Sequence, residues 1–368
     1  MASVITSSVQ PNGPSVLANI MPRLEGLAIA LIGLAGGFLC FSIFLLLLGK
    51  SPLEFLGLVW KAGFSTSFSL ENTFSRVTPI LLTALCVALP ARLGLVVIGG
   101  EGAIVLGGLA AGITALSVAP LPALIGLVCM GLAAMMCGGL WIGVIGWLRV
   151  KRGVNETISS LLMAYIAIAL FNHLVESVFR DPASLNKPST APVPEHLRLG
   201  DMPVLETHWG LLFAILACIV CWILIERTRV GFAARVAGDN MRAAQVQGLP
   251  VNKLIIGFML AGGALAGLAG FFEVSAVHGA ANASLIAGIG YTGILVAFLA
   301  RHNPLAIIPV AILLAGFEAS SGLIQRRMDL PDASILVLQG MVFVAVLFSE
   351  TLSGQLRFFQ RAYWSRAI

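Results

Sequence analysis

Residues 254–272 read LIIGFMLAGGALAGLAGFF, without one charged side chain. A helix rises about 1.5 Å per residue, so roughly 20 residues cross the ~30 Å hydrocarbon core of a bilayer, and this run has that length. Comparable apolar runs fill 24–48, 77–92, 95–118, 121–148, 157–175, 209–225, 284–300, 304–323 and 333–349. The run at 77–92 is shorter than the others and contains Pro79 and Pro90. Inside lipid, every backbone amide must be paired within its own structure. The expected fold is therefore an all-α polytopic membrane protein with about ten transmembrane helices.

Composition excludes the main alternatives. Of 368 residues 58% are hydrophobic and 11% charged, with mean hydropathy +0.97, whereas a soluble domain carries about 25% charged residues. Such a chain could not cover its surface in water, so neither a soluble enzyme nor a nucleic-acid-binding protein is expected. The 40 glycines suit close approach of helices in lipid. All six cysteines fall in apolar runs, so even Cys218-x-x-Cys221 reads as helix packing rather than a redox or metal site.

Basic residues set the expected orientation, since short cytoplasmic loops are enriched in Lys and Arg. With the N-terminus inside, Arg23, Arg92, Arg149, Lys151, Arg152, five basic residues in 226–253, Arg301, Arg357, Arg361 and Arg366 face the cytoplasm, a majority of the 22. Both termini are then cytoplasmic, and the net charge of +5 follows from topology. The expected organisation is a cytoplasmic segment 1–23, a membrane domain 24–349 and a cytoplasmic tail 350–368. Within the domain, 176–208 is an external loop and 226–253 a cytoplasmic one. Residues 1–21 lack the pattern of a cleavable signal, so the first span reads as an uncleaved anchor. No phosphate-cradling G-x-x-x-x-G-K-[ST] loop occurs, so ATP hydrolysis is not expected of this chain.

Two stretches echo each other. Ile98-Gly99-Gly100-Glu101-Gly102 and Ile289-Gly290-Tyr291-Thr292-Gly293 both read I-G-x-x-G, and the topology runs their spans in opposite directions. That is the arrangement of two inverted-topology repeats with a site between them. Glu101 is costly in an apolar span and needs a partner or a water-lined cavity. It reads either as part of a broken helix lining a pathway with Gly99 and Gly102, or as a glutamate hydrogen-bonded between helices. Glu318, beside Ser320 and Ser321, poses the same choice. His278, Asn282, Ser284, Tyr291 and Thr292 gather polar groups suited to a flat or hydroxylated solute, although an ordinary loop would contain them too.

In the cytoplasmic loop, Gly238 to Pro250 has the punctuation of one short helix. Asp239 or Asn240 caps its start, Gly248 closes it and Pro250 stops continuation. Three turns are not stable alone, so this helix needs something to pack against, with Ala243, Ala244 and Val246 as a compact docking face.

These motifs resemble those of a known family. Arg235-Val236-Ala237-Gly238-Asp239-Asn240, followed by Ala243-Ala244-x-x-x-Gly248, is similar to the coupling-helix signature of permease subunits from bacterial ATP-binding-cassette importers of the branched-chain amino acid and sugar class. Gly94 to Gly102, Gly153-Val154-Asn155-Glu156-Thr157-Ile158-Ser159 and Gly290-Tyr291-Thr292-Gly293-Ile294 resemble motifs of its nucleoside and simple-sugar branch. The resemblance covers about residues 75 to 350.

It implies cytoplasmic ATP-binding subunits, a second permease in a heterodimeric pair, an external solute-binding protein and residence in the cytoplasmic membrane. ATP and Mg would sit on the partner subunits, with no cofactor, metal or catalytic residue on this chain. Gly238, Asp239, Asn240, Ala243, Ala244 and Gly248 would form the helix seated in the ATPase cleft, and Glu101, Tyr291 and Thr292 would lie near the pathway. Departures occur at Val97, Ala103 and Thr292, where the family has Asn, Gln and an acid. They weaken the substrate assignment, with nucleosides or purine-like bases first and simple sugars second. The rivals are an ion-coupled secondary transporter using Glu101 or Glu318 as proton carrier, and a polytopic enzyme, for which the chain offers no cluster of His, Asp or Glu.

Overall fold

The computed structural model describes residues 16–184, 187–203 and 207–351. The expected cytoplasmic tail, and residues 1–15 of the expected N-terminal segment, lie almost wholly outside them. The helices are α1 (Val16–Leu47), α2 (Pro52–Gly63), α3 (Ser67–Ala91), α4 (Gly100–Ser117), α5 (Ala123–Arg152), α6 (Glu156–Glu176), α7 (Gly210–Arg227), α8 (Arg229–Asp239), α9 (Met241–Val246), α10 (Val251–Phe272), α11 (Ile289–Leu299), α12 (Pro304–Met328) and α13 (Ala333–Glu350). Among the described residues, eight helices are long and apolar enough to cross a membrane, and two shorter apolar ones lie on either side of α12. Each of the ten apolar runs has its helix.

The boundaries differ in instructive ways. The run at 77–92 belongs to a 25-residue helix that starts at Ser67, where Thr66 accepts the Ser69 N–H as its cap. Glu71, Asn72 and Arg76 hide that first part from a hydropathy reading. Pro79 sits inside α3, and Thr83 Oγ1 donates to Pro79 O at 2.8 Å. The run at 95–118 begins as irregular chain and becomes helix only at Gly100. The helix α2, opened by Ser51 and Pro52, buries Phe55 and Val59 one turn apart.

The chain divides into two compact units, Met1–Phe44 with Gly340–Ile368, and Leu45–Gln339. In the first, a methyl group on Gly37 of α1 would lie 2.5 Å from Val342 Cα, so the two backbones touch. In the second, α10 is central, and its glycines form the contacts with α3, α4 and α5. A methyl group on Gly267 would lie 2.1 Å from Ala134 O, and one on Gly270 would lie 2.1 Å from Ile104 O. Lipid offers no hydrophobic drive between helices, so this close backbone packing is what holds them together.

The turn between α5 and α6 follows from its motif. Gly153 takes the left-handed conformation (φ 67) that closes α5, and the Asn155 side chain accepts the Thr157 and Ile158 N–H groups to open α6. Glu156 then pairs with Arg149 at 3.3 Å. The long loop after α6 is fastened to the segment after α10, with Thr190 N donating to Ala281 O at 2.9 Å and Leu199 N to Ser275 O at 3.0 Å.

Candidate functional site

The two I-G-x-x-G stretches meet. Before α4 the chain runs without regular secondary structure through 95–98, fully buried at Leu95 and Val97. Its backbone is satisfied by α6, since Thr157 Oγ1 donates to Val96 O at 3.0 Å and Ile98 N donates to Ser160 Oγ at 3.0 Å. This delivers Glu101, 1% exposed, in the first turn of α4. Its carboxylate accepts the N–H of Gly288 at 2.7 Å through Oε1 and that of Gly290 at 2.6 Å through Oε2.

Those are orphan donors at the start of α11, where the helix dipole is positive. Glu101 is thus a cap supplied by one helix to another, and a buried carboxylate here needs no cation. Gly290 has to be glycine for this, because a methyl group there would lie 2.3 Å from Glu101 N. Gly99 and Gly102 face α6 instead: methyl groups would lie 2.8 Å from Ser160 O and 2.9 Å from Ala164 Cα.

One turn along α11, Thr292 Oγ1 donates to Glu318 Oε1 on α12 at 2.8 Å, and Gln339 Nε2 on α13 donates to the same oxygen at 3.1 Å. Thr292 Oγ1 also stands 3.2 Å from Gln339 Oε1. Sequence reading found Thr292 and Glu318 but not Gln339, a lone amide in an apolar run. Tyr291, beside this cluster, is 39% exposed.

The other polar residues of 273–292 serve the loop. Glu273 and His278 pair at 3.2 Å across a single stretch of π-helix, Glu273–His278. Asn282 accepts the Ser284 N–H, and Lys187 Nζ donates to Ser284 Oγ at 2.7 Å. The expected polar group is thereby split, with Tyr291 and Thr292 apart from His278, Asn282 and Ser284.

The short helix expected within 238–250 is α9, with Asn240 between it and the end of α8. Asp239 ends α8, and Asn240 alone caps α9 by accepting the Ala243 N–H at 3.0 Å. Gly248 (φ 80) follows in the left-handed conformation. Ala244 is fully buried beneath α9, while Ala243 is exposed and Val246 is 89% exposed. Arg242 and Gln245 are exposed as well, so Ala244 is the anchor and most of the rest of α9 faces outward, with Ala243 and Val246 as its apolar part. Gly238 lies on Arg92, where a methyl group would come within 2.3 Å of Arg92 O.

Arg92, which sequence reading used only as a topology marker, joins several elements. Its Nη2 donates to His302 O at 3.1 Å and lies 3.8 Å from Glu226 Oε1, whose other oxygen accepts from Arg235 Nη2 at 2.8 Å. Burial, reinforced by the Arg92 charge, pushes the His302 imidazole down to about 4.

Comparison with known proteins covers nearly all of this architecture. The family described as branched-chain amino acid transport system / permease component matches residues 69–347. The glucose ABC transporter permease protein of Haloferax volcanii is 30% identical, over 92% of this chain and 89% of its own. The guanosine ABC transporter permease protein of Bacillus subtilis is also 30% identical, over 90% of this chain and 96% of its own. A probable riboflavin import permease protein of Treponema pallidum is 26% identical, over 84% of this chain and 82% of its own.

Proposed function

The chain belongs to the permease-component family of branched-chain amino acid transport systems, and from that premise we propose how it works within an ATP-binding-cassette importer. It is a multi-pass membrane subunit that works with ATPase and solute-binding partners. Its own contribution is a route and a mechanical contact. ATP and Mg reside on the partner ATPases, no covalent step occurs on this chain, and a second, different permease completes the membrane pair. The halves containing α4 and α11 are inverted repeats that alternate access, with both termini in the cytoplasm.

The observation that carries this reading is α9. Asn240 caps it, Ala244 roots it in the membrane domain, and Val246 is left 89% exposed beside Ala243. An exposed apolar side chain on so short a helix, in the loop richest in basic residues, suits a seat in a partner's cleft rather than in water. The solute is a neutral molecule rich in O–H and N–H donors, nucleosides first and simple sugars second. Support comes from the relatives' printed substrates and from the acceptor-rich cluster of Thr292, Glu318 and Gln339 beside Tyr291.

The ion-coupled alternative finds no support. The relatives are cassette-transporter permeases, and Glu101 is committed to two backbone N–H groups. The test is reconstitution in liposomes. Guanosine or glucose uptake should need ATP, both permeases and the ATPases. Uptake by this chain alone under a proton or sodium gradient would overturn the proposal.

A further inference from the structure

The helix α11 is held at both ends by side chains from other elements. At its N-terminus Glu101 of α4 takes two backbone N–H groups. Just past its C-terminus, Arg92 at the end of α3 donates to His302 O at 3.1 Å. Between them α11 has 11 residues, about 16 Å of rigid rod that carries Tyr291 and Thr292.

The C-terminal hold is an unusual piece of chain. Arg301 (φ 50) and His302 (φ 55) are consecutive non-glycine residues in the left-handed region, which side chains with a Cβ disfavour. Among the described residues, Arg92 Nε and His302 Nδ1 are buried without a hydrogen-bond partner. A strained turn and two unpaired buried nitrogens in one place are compatible with a second arrangement of this contact.

Arg92 is also where α8 arrives. Gly238 rests on its carbonyl with no room for a methyl group, and the Arg235 to Glu226 bond at 2.8 Å extends to Arg92 at 3.8 Å. These pairs are partly exposed, with Arg235 at 50% and Glu226 at 34%, so they add little to stability. Their geometry is that of a linkage: α9 follows α8, α8 rests on Arg92, and Arg92 grips the turn after α11.

We infer that Arg92 is the positioning residue that transmits movement of the α8–α9 segment to α11, and so to Tyr291 and Thr292. The inference rests on the proposed coupling role of α9. Arg92 holds the end of the rod nearest α8, so displacement of α8 shifts α11 as a unit and moves Thr292 against Glu318.

The test uses the complete complex of permeases, ATPases and binding protein, with Tyr291→Cys as reporter on α11. The rate of its modification by a water-soluble maleimide is measured with and without ATP and vanadate, against the chain lacking the reporter. We expect a several-fold change of rate in the parent, a ratio near one in Arg92→Met with ATP hydrolysis persisting, and an intermediate ratio in Arg92→Lys. Should Arg92→Met fail to assemble, Glu226→Gln, at an exposed position, should reduce the ratio instead.

A full ratio in Arg92→Met, or in Glu226→Gln where that variant is needed, overturns the inference, as does a parent with no rate change. Val246→Asp separates the two ideas. If it abolishes the nucleotide response while the Arg92 variant keeps it, only the transmission route is wrong. If Val246→Asp also keeps the response, the coupling role of α9 falls with it.

Discussion

Gly290 presents its N–H to Glu101 Oε2 at 2.6 Å, and the same glycine leaves no space for a side chain between α4 and α11. One residue thus supplies both the hydrogen bond and the close approach that join the two echoing motifs. Glu101→Gln keeps one acceptor but turns an amide N–H toward the other backbone donor. Hydrogen bonds to charged groups contribute about 1.5–3 kcal/mol, so we expect a loss of about 2 kcal/mol in unfolding measured in detergent. Unchanged stability with abolished uptake would make Glu101 a pathway residue instead.

Gly290→Ala should destabilise by about 1–3 kcal/mol, the range for overpacking, because the obstacle is backbone and cannot rotate away. Gly257→Ala on α10, where nothing lies within 4 Å, is the matched control and should be neutral or slightly stabilising. Thermal unfolding of the two side by side distinguishes close packing from a general intolerance of α-helical glycine replacement.

How much of this was legible in the sequence depended on whether a signal was local. The run at 254–272 announced α10 because every residue in it is small or apolar. The start of α3 was hidden because Glu71, Asn72 and Arg76 interrupt hydropathy although the helix continues, and α2 was hidden because its pattern is too short to span. Asn240 and Gly248 were readable as helix punctuation. Which of Ala243, Ala244 and Val246 faced outward was not, since all are small or apolar and only tertiary contact fixes the phase of six residues. Gln339 and Arg92 escaped for the same reason: their partners are remote in sequence and leave no spacing to detect.

His302 gives a pH dependence with a definite sign. Its imidazole titrates near 6.5 when unfolded and at about 4 when folded. Between those values the unfolded chain binds the extra proton, so stability falls as pH drops from about 6.5 toward 4. His302→Asn, which keeps a residue tolerant of the left-handed conformation, should flatten that part of the stability profile. An unaltered profile would assign the acid sensitivity to other groups.

Gln339→Leu removes one of the two side chains that donate to Glu318 Oε1. A hydrogen bond to a carboxylate contributes about 1.5–3 kcal/mol, so its loss leaves Glu318 less firmly held, and uptake of guanosine, or of glucose if that is the solute, should slow severalfold. ATP hydrolysis by the assembled complex should persist. Uptake indistinguishable from the parent for both solutes would remove the cluster from the route.

The account as a whole depends on α9 facing the ATPases. Val246→Cys, at the most exposed position of that helix, can be exposed to a membrane-impermeant maleimide in intact cells and again after permeabilisation, against the chain lacking the substitution. The account predicts no added labelling until the membrane is opened. Labelling of the introduced thiol from outside intact cells would contradict it.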